Sequence, residues 1–163
     1  MVGFVRSVLE QRTPFARPST ELEGIYNYRN IEGLYATSGQ PSEAQFRLIR
    51  DAGYEAVINL APTSKLENSV VHEAEVLAAL GLPYIHIPVD FKHPTEADFE
   101  AFVQGLRAHE GRKIWVHCAA NMRVSAFTYR YRKRVLGEDE AVAAEDLAAI
   151  WTPTSVWQAF IAK

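Results

Sequence analysis

The residue of this chain best suited to covalent chemistry is its single cysteine, Cys118. An apolar, strand-like segment, Ile114-Trp-Val-His, runs straight into Cys118, and a short loop and a helical pattern follow. In such an arrangement, the backbone N–H groups of the loop and the helix N-terminus attract an oxyanion such as phosphate. The same field favours the thiolate over the thiol, so we predict that Cys118 is a nucleophile near neutral pH.

Residues close to Cys118 in sequence fit this chemistry. Arg123 could clamp an oxyanion through two hydrogen bonds, and Asn121 tolerates the positive φ that a cradle of inward N–H groups usually needs. Ser125 is placed to donate a hydrogen bond to the sulfur when it leaves. A lone cysteine is more often a small buried apolar residue, but His117, Arg123 and the strand-loop-helix context favour a reactive thiol.

The composition narrows the classes of protein that remain. The chain has 163 residues, 48% of them hydrophobic, with 17 Lys and Arg against 20 Asp and Glu, for a net charge of −3. We expect one soluble domain over 1–163, with a weakly acidic balance that argues against binding to nucleic acid or an anionic membrane. One cysteine excludes an intrachain disulfide and a cysteine zinc cluster. No secretory leader or membrane span is recognisable, so a cytoplasmic location is expected, and no metal or cofactor is implied.

The charges are unevenly distributed. Between positions 111 and 136 there are seven basic residues and no acidic one, so a positive region is expected around Cys118. Arg130, Arg132, Lys133 and Arg134 could extend that region toward a phosphorylated partner. The simpler interpretation of this run is a solvated helix face.

The hydrophobic pattern predicts an α/β fold. Strand patterns occupy 25–31, 34–38, 56–61, 84–89 and 113–117, and helical patterns occupy 42–53, 72–80, 95–106, 125–136, 140–151 and 155–163. Residues 1–20 are expected to form a loosely packed arm or a short helix. This alternation predicts a mainly parallel central sheet with helices on both faces. Ligands gather beyond the carboxyl ends of such strands, where Asp90 and Cys118 both stand.

The Cys118 segment resembles the signature of the cysteine-dependent tyrosine and dual-specificity phosphatases, which is His-Cys, five residues, Arg, then Ser or Thr. The segment Ser38-Gly-Gln-Pro-Ser, the helix after it and Val57-Ile-Asn-Leu are similar to a small bacterial phosphatase-like domain, which is also found joined to a metallo-hydrolase of sulfur metabolism. The resemblance covers 25–135. It implies a phosphatase-like three-layer sandwich and a hydrolase acting on a phosphorylated small molecule or phosphoprotein.

The resemblance also implies roles for individual residues. Cys118 would attack phosphorus to form a phosphocysteine, and His117 would orient the loop. Ser125 would assist breakdown of the intermediate. The phosphoryl oxygens would be held by Arg123 and by the backbone amides of Ala119, Ala120, Asn121 and Met122.

An acid is implied about thirty residues before the cysteine. Asp90 stands 28 residues before Cys118, and its role would be general acid and then general base. The alternative is that Asp90 only begins a turn ahead of the helix cap at Thr95. Glu96 and Asp98 are weaker candidates, more simply interpreted as acids in the first turn of a helix.

The loop departs from the phosphatase signature by one residue. Four residues separate Cys118 from Arg123, where the signature has five, although Ser125 falls where the hydroxyl residue is expected. Phosphatase activity would then be weak, absent or restricted to an unusual substrate. Two alternatives stay open: a rhodanese-like sulfurtransferase that carries a persulfide on Cys118, and a module that binds a phosphorylated ligand without turnover.

Overall fold

The computed structural model describes residues 18–63, 70 and 72–163 of the chain. The elements within them are, in chain order, α1 (Pro18–Glu23), β1 (Arg29–Ile31), β2 (Tyr35–Ser38), α2 (Glu43–Asp51), β3 (Ala56–Asn59), α3 (Glu73–Ala79), β4 (Tyr84–His86), α4 (Glu96–Ala108), β5 (Ile114–His117), α5 (Met122–Arg134), α6 (Glu140–Ala148) and α7 (Val156–Ala162). In the part of the chain described, no helix has both the length and the apolar character needed to cross a membrane.

The sheet confirms the predicted α/β architecture. Its strand order is β1-β2-β5-β3-β4, with β1 antiparallel to β2 and every other neighbouring pair parallel. The central strand β5 ends at His117, which is paired in register with Ser38 of β2 and Asn59 of β3. Three parallel strands therefore end side by side where the chain enters the loop of Cys118.

The two faces of the sheet belong to separate apolar clusters. Alternate residues of a strand point to opposite faces, and accordingly Val57 and Trp115 pack in one cluster while Ile58 and Val116 pack in the other. All four are fully buried. Helices cover both faces, as expected for a parallel sheet with apolar central strands.

Two predicted helix starts are confirmed in detail. Ser42 caps α2 and Thr95 caps α4, in each case with a reciprocal capping box to the residue three positions on, Gln45 and Asp98. Asp98 thus serves the helix end, as its sequence position suggested. These caps satisfy N–H groups that the first turn of a helix leaves without partners.

Some element boundaries differ from the sequence pattern. The first strand begins at Arg29 because residues 25–27 form a turn in which Asn27 has a φ of 49°. The strand predicted over 84–89 ends at His86. Helix α1 begins at Pro18 and takes up the last three residues of the expected N-terminal arm. The rest of that arm, residues 1–17, lies outside the described residues.

Candidate active site

Cys118 lines a cavity at the carboxyl end of the sheet. It follows β5 directly, and its thiol is free and buried. The cavity has a volume of about 340 Å³ and is lined by Phe91, Cys118, Ala119, Ala120, Met122 and Arg123. The structure therefore brings the predicted nucleophile and the predicted arginine to one opening.

The backbone of the Cys118 loop is turned by hydrogen bonds to its carbonyl groups. Three successive carbonyls have neighbouring donors: Cys118 O faces His117 Nδ1 at 3.2 Å, Ala119 O accepts from Gln40 N at 3.0 Å, and Ala120 O accepts from Asn27 Nδ2 at 3.0 Å. In a trans peptide the N–H points opposite to the C=O. The amides that follow these carbonyls are consequently directed away from those donors, as a cradle for an anion requires.

Asn121 closes the loop in the left-handed conformation, with a φ of 66°, so the expectation of a positive φ here is confirmed. Its buried side chain donates through Nδ2 to Asn27 O at 2.9 Å and to Thr37 Oγ1 at 3.0 Å. These bonds attach the loop to the first hairpin and offset part of the strain of a positive φ in a residue with a Cβ. Helix α5 begins at the next residue, Met122.

Gly39 gives the Ser-Gly-Gln-Pro segment a physical role in the site. A Cβ on Gly39 would lie 2.6 Å from Ala119 O and 2.6 Å from the ring of Tyr26. The N–H of Gly39 donates to Tyr26 O at 2.7 Å. The absence of a side chain thus lets this segment pass directly beneath the Cys118 loop, where Gln40 can hold the Ala119 carbonyl.

Arg123 joins the loop to the segment after β4. Its side chain is buried, and Nη1 donates to Val89 O at 3.0 Å. The guanidinium carbon lies 5.6 Å from the centre of the Phe91 ring. Phe91 is in turn held by Trp157, whose indole Nε1 donates to Phe91 O at 2.8 Å. Phe91 is a lining residue that the sequence analysis did not select, because nothing in the local pattern distinguishes it from a core aromatic.

Asp90 adjoins the lining residue Phe91, but its carboxylate is engaged in its own turn. Oδ1 accepts from Lys92 N at 2.9 Å, and Oδ2 lies 3.4 Å from His93 Nδ1. The side chain is 65% exposed. The hydrogen bond from the Lys92 backbone, with a smaller contribution from His93, lowers the pKa of Asp90 below its ordinary value. This geometry matches the turn that was the alternative to a catalytic role, and that role remains a prediction.

Ser125 is bonded to its own helix and to a tryptophan. Its hydroxyl donates to Met122 O at 3.0 Å and accepts from Trp151 Nε1 at 3.1 Å. Because a serine hydroxyl carries one proton, this arrangement leaves none for the sulfur of Cys118. A role in breaking down an intermediate would require Ser125 to rotate away from Met122 O.

Glu73 is a buried acid next to the site that the sequence analysis missed. Its Oε2 lies 2.8 Å from His117 Nε2, and its Oε1 accepts from Gln40 Nε2 at 2.8 Å. Burial raises the pKa of Glu73, but the charge and hydrogen bond of His117, with hydrogen bonds from Gln40 and Tyr84, lower it below its ordinary value overall. In sequence, Glu73 looks like an ordinary acid in a helical first turn, so no local signal could have identified it.

The basic run on α5 has a structural role. Arg130 and Arg132 are each only 6% exposed, so the expectation of a solvated helix face is wrong for both. Arg130 donates to Glu96 Oε2 at 2.6 Å and lies 4.2 Å from the centre of the Phe99 ring. Glu96 is therefore part of this packing contact.

The other three basic residues bind polar groups in the C-terminal part of the chain. Arg132 donates to Glu138 and Asp146, Lys133 to Ile161 O, and Arg134 to Ala162 O. The guanidinium of Arg132 is therefore occupied by two carboxylates, whereas Arg134 remains exposed, as the solvated helix face predicts.

A cysteine after the central strand of a parallel sheet, an amide loop and an arginine on the following helix are the arrangement that the resemblance to the cysteine-dependent phosphatases implies. The chain belongs to the family described as DSP-PTPase phosphatase fused to NAD+ kinase, whose model matches residues 17–161. This is a family of the protein tyrosine phosphatase-like kind, as the resemblance implied.

Individual relatives agree with the family. The beta-lactamase hydrolase-like protein of Xylella fastidiosa is 38% identical over 96 residues, which are 58% of this chain and 22% of that protein. The chain thus spans about a fifth of the length of the curated relatives it matches. A DUF442 protein of Shewanella putrefaciens CN-32, described as a candidate phosphatase, is 34% identical with a TM-score of 0.75, covering 86% of this chain and 92% of that one.

A more distant structure shares the fold. TpbA of P. aeruginosa, in a variant bound to pTyr, is 17% identical with a TM-score of 0.62, covering 86% of this chain and 83% of that one. At this level of identity the likeness extends to the arrangement of strands and helices only.

Proposed function

We propose that this protein hydrolyses a phosphomonoester through a phosphocysteine intermediate on Cys118. The observation that carries the proposal is the set of three anchored carbonyls in the Cys118 loop, at Cys118, Ala119 and Ala120. They direct successive amides away from the supporting segments, and the loop borders the same cavity as Cys118 and Arg123. Amides fixed before the substrate arrives stabilise developing negative charge without reorganisation.

The reaction has two displacements at phosphorus. The Cys118 thiolate attacks, an S–P bond forms, and the ester P–O bond breaks with its electron pair leaving on the alcohol or phenol oxygen. That oxygen takes a proton from Asp90 or from water. A water molecule then attacks phosphorus and loses a proton to the base left by the first step, which is the Asp90 carboxylate or hydroxide. This attack displaces the thiolate, which restores Cys118 and releases inorganic phosphate.

Within this scheme each predicted site residue has a defined task. Arg123 and the amides of the loop hold the non-bridging oxygens of the phosphoryl group. His117 holds the loop from behind, through the carbonyl of Cys118. Ser125 assists the second step only after it turns from Met122 O toward the sulfur.

The shortened loop fits a slow enzyme. With four residues between Cys118 and Arg123, the turn is completed by Asn121 at positive φ. Asp90 must carry a proton to act as an acid, and its lowered pKa works against that. We therefore propose a preference for aryl phosphates, whose leaving groups need less protonation than alcohols do. Cys118 can act as a nucleophile only while its sulfur is not oxidised, and the cytoplasm keeps thiols reduced. We therefore propose a cytoplasmic location.

Hydrolysis of p-nitrophenyl phosphate tests the proposal. We expect slow release of p-nitrophenol by the wild-type chain, loss of the activity in Cys118→Ser, and a mass increase of one phosphoryl group on Cys118 when the reaction is quenched in acid. Glu75→Gln, which changes an exposed acid on α3, serves as the control. Equal rates above background for wild type and Cys118→Ser would remove Cys118 from the mechanism.

One observation favours a second candidate, persulfide transfer by Cys118. The four-residue spacing from Cys118 to Arg123 is the spacing of the rhodanese-like loop. Incubation with thiosulfate followed by mass measurement tests it: one added sulfur on Cys118, and thiocyanate on addition of cyanide, would favour transfer over hydrolysis. Protection of Cys118 from alkylation by phosphate, without turnover of either substrate, would indicate a binding module.

A further inference from the structure

Glu73 and His117 form a buried pair next to the Cys118 loop, and neither is among the residues that line the cavity. Their side chains are 5% and 0% exposed, and the joining distance from Glu73 Oε2 to His117 Nε2 is 2.8 Å. Removing a carboxylate from water is costly unless it is paired and hydrogen-bonded. The charge state of this pair is therefore defined by the hydrogen-bond partners that the fold provides.

Both ring nitrogens of His117 face hydrogen-bond acceptors. Nε2 faces the carboxylate of Glu73, and Nδ1 lies 3.2 Å from the carbonyl oxygen of Cys118, which accepts only. A neutral imidazole has one N–H and could donate to only one of the two. The doubly protonated imidazolium ion donates to both, so the geometry matches the cation.

The partners of Glu73 match the ionised carboxylate. Gln40 Nε2 donates to Oε1 at 2.8 Å. The hydroxyl of Tyr84 contributes to the lowered pKa of Glu73, and its oxygen accepts from Asn59 Nδ2 at 2.9 Å. His117 and Gln40 thus each bond to one oxygen of Glu73, and an ionised carboxylate accepts both bonds.

We propose that Glu73 is a positioning residue of the phosphatase site, which keeps His117 as an imidazolium ion and, through it, holds the Cys118 loop and its thiolate. The imidazolium N–H polarises the Cys118 carbonyl, which strengthens the amide N–H of Ala119 at the other end of the same peptide. Its positive charge next to Cys118 favours the thiolate. The catalytic consequence rests on the proposed function, whereas the charge state of His117 is a property of the fold.

The surroundings of the pair define what else could influence its charge. Tyr84 faces Glu73 from β4, and the thiol of Cys118 follows His117 in the chain. From α2 the ring of Phe46, which carries no charge, packs against the imidazole with ring centres 5.7 Å apart. His86 stacks on Tyr84 at 5.7 Å, one residue further from the pair. Among the described residues, Glu73 is the carboxylate bonded to His117.

Nitrogen NMR of the full chain labelled with ¹⁵N-histidine measures the charge directly. We expect both nitrogens of His117 to show imidazolium shifts at pH 7.5 in the wild type and in Glu75→Gln, the same change at an exposed site of α3. In Glu73→Gln, His117 should show the shifts of neutral imidazole at the same pH. Neutral shifts in the wild type would overturn the proposal, and this result needs no variant to fold.

Alkylation of Cys118 by iodoacetamide, followed by mass spectrometry over pH 5 to 9, measures the effect on the thiol. In Glu73→Gln we expect the half-maximal rate at a higher pH and a rate at pH 6.5 lower by about tenfold. Glu73→Asp should restore part of the rate, and Glu75→Gln should match the wild type. An unchanged profile in a folded Glu73→Gln protein would overturn the proposal.

The same measurements separate this inference from the proposed function. If the wild type fails to hydrolyse p-nitrophenyl phosphate while the NMR and alkylation results hold, the proposed function fails and the role of Glu73 at Cys118 stands. If hydrolysis is observed and Glu73→Gln changes neither kcat, the alkylation profile nor the His117 shifts, the inference about Glu73 fails alone.

Discussion

Gly39 lies directly against Ala119 of the Cys118 loop, so closely that a Cβ on the glycine would sit 2.6 Å from the Ala119 carbonyl oxygen. The next residue, Gln40, donates its backbone N–H to that same oxygen. The close approach and the hydrogen bond depend on each other, because a side chain at Gly39 would separate the two segments. The amide cradle is thus supported by a segment almost eighty positions earlier in the chain.

The first prediction concerns this contact. Gly39→Ala should displace the loop, lower the free energy of unfolding by about 1 to 3 kcal/mol and reduce kcat/KM for an aryl phosphate by at least about tenfold. Thermal unfolding and steady-state kinetics measure both. Gly105→Ala in α4 is the matched control: its Cβ would meet neighbours at 3.5 Å or more, so stability should hold or rise. Equal behaviour of the two variants would contradict this account.

A second prediction separates the backbone conformation of Asn121 from its side-chain bonds. Asn121→Gly keeps the positive φ but loses the bonds to Asn27 and Thr37. Asn121→Ala loses these bonds and also the tolerance of a positive φ. We expect the alanine variant to be less stable than the glycine variant by about 1 kcal/mol, with lower activity. Urea unfolding provides the comparison. If the glycine variant were the less stable of the two, the positive φ would not be what restricts the residue types at this position.

The third prediction tests Asp90 by the leaving group. Because its carboxylate is held in its own turn and its pKa is lowered, Asp90→Asn should change p-nitrophenyl phosphate hydrolysis at pH 7 by less than about threefold. Hydrolysis of an alkyl phosphate, whose leaving group needs a proton, should fall by at least about tenfold if Asp90 is the acid. Equal small effects on both substrates would leave Asp90 as a turn residue.

A fourth prediction follows from the lowered pKa of Glu73. A carboxyl group with a lower pKa in the folded than in the unfolded state adds stability that is present above its unfolded value, about 4.3, and is lost as the pH falls through the folded value. The melting temperature of the wild type should therefore decrease as the pH is lowered from about 4.3. The fall should be shallower in Glu73→Gln than in Glu75→Gln, and parallel curves would argue against an ionised Glu73 in the fold.

The fifth prediction contrasts two arginines on α5. Arg132 is buried and bonded to Glu138 and Asp146, whereas Arg134 is exposed. Arg132→Ala should cost about 1 to 3 kcal/mol because it removes a buried guanidinium from two half-buried carboxylates, and Arg134→Ala should cost less than about 1 kcal/mol. Chemical denaturation distinguishes them. Similar losses of stability in both variants would contradict this contrast. A loss of phosphate affinity in both would restore the interpretation of this run as a binding surface.

Several features could be predicted from sequence because their causes are local. The caps at Ser42 and Thr95 depend on residues three positions apart, and the alternation of apolar strands with helices predicts a parallel sheet. The strand-loop-helix around Cys118 is likewise contiguous, and so is the turn at Asn121. In each case the interacting groups are neighbours in the chain, so their spacing carries the information.

Other features depend on residues that only the tertiary structure brings together. The parallel pairing of β2, β3 and β5 brings Ser38, Asn59 and His117 level at one edge of the sheet. The burial of Arg130 and Arg132 follows from how the C-terminal helices pack on α5, and a count of basic residues predicts the opposite.

The sequence by itself predicted the type of fold and selected Cys118 and Arg123 as the candidate nucleophile and candidate oxyanion clamp, because a single cysteine between a strand and a helix leaves few alternatives. Only the tertiary structure decided what supports them: Gly39 and Gln40 beneath the loop, and Glu73 behind His117. The physical reason is that the carbonyls of Ala119 and Ala120, and with them the amides that follow, are directed by Gln40 and Asn27, which are far away in sequence. Glu73 lies 44 residues before His117, and no local sequence pattern marks it as the partner of that histidine.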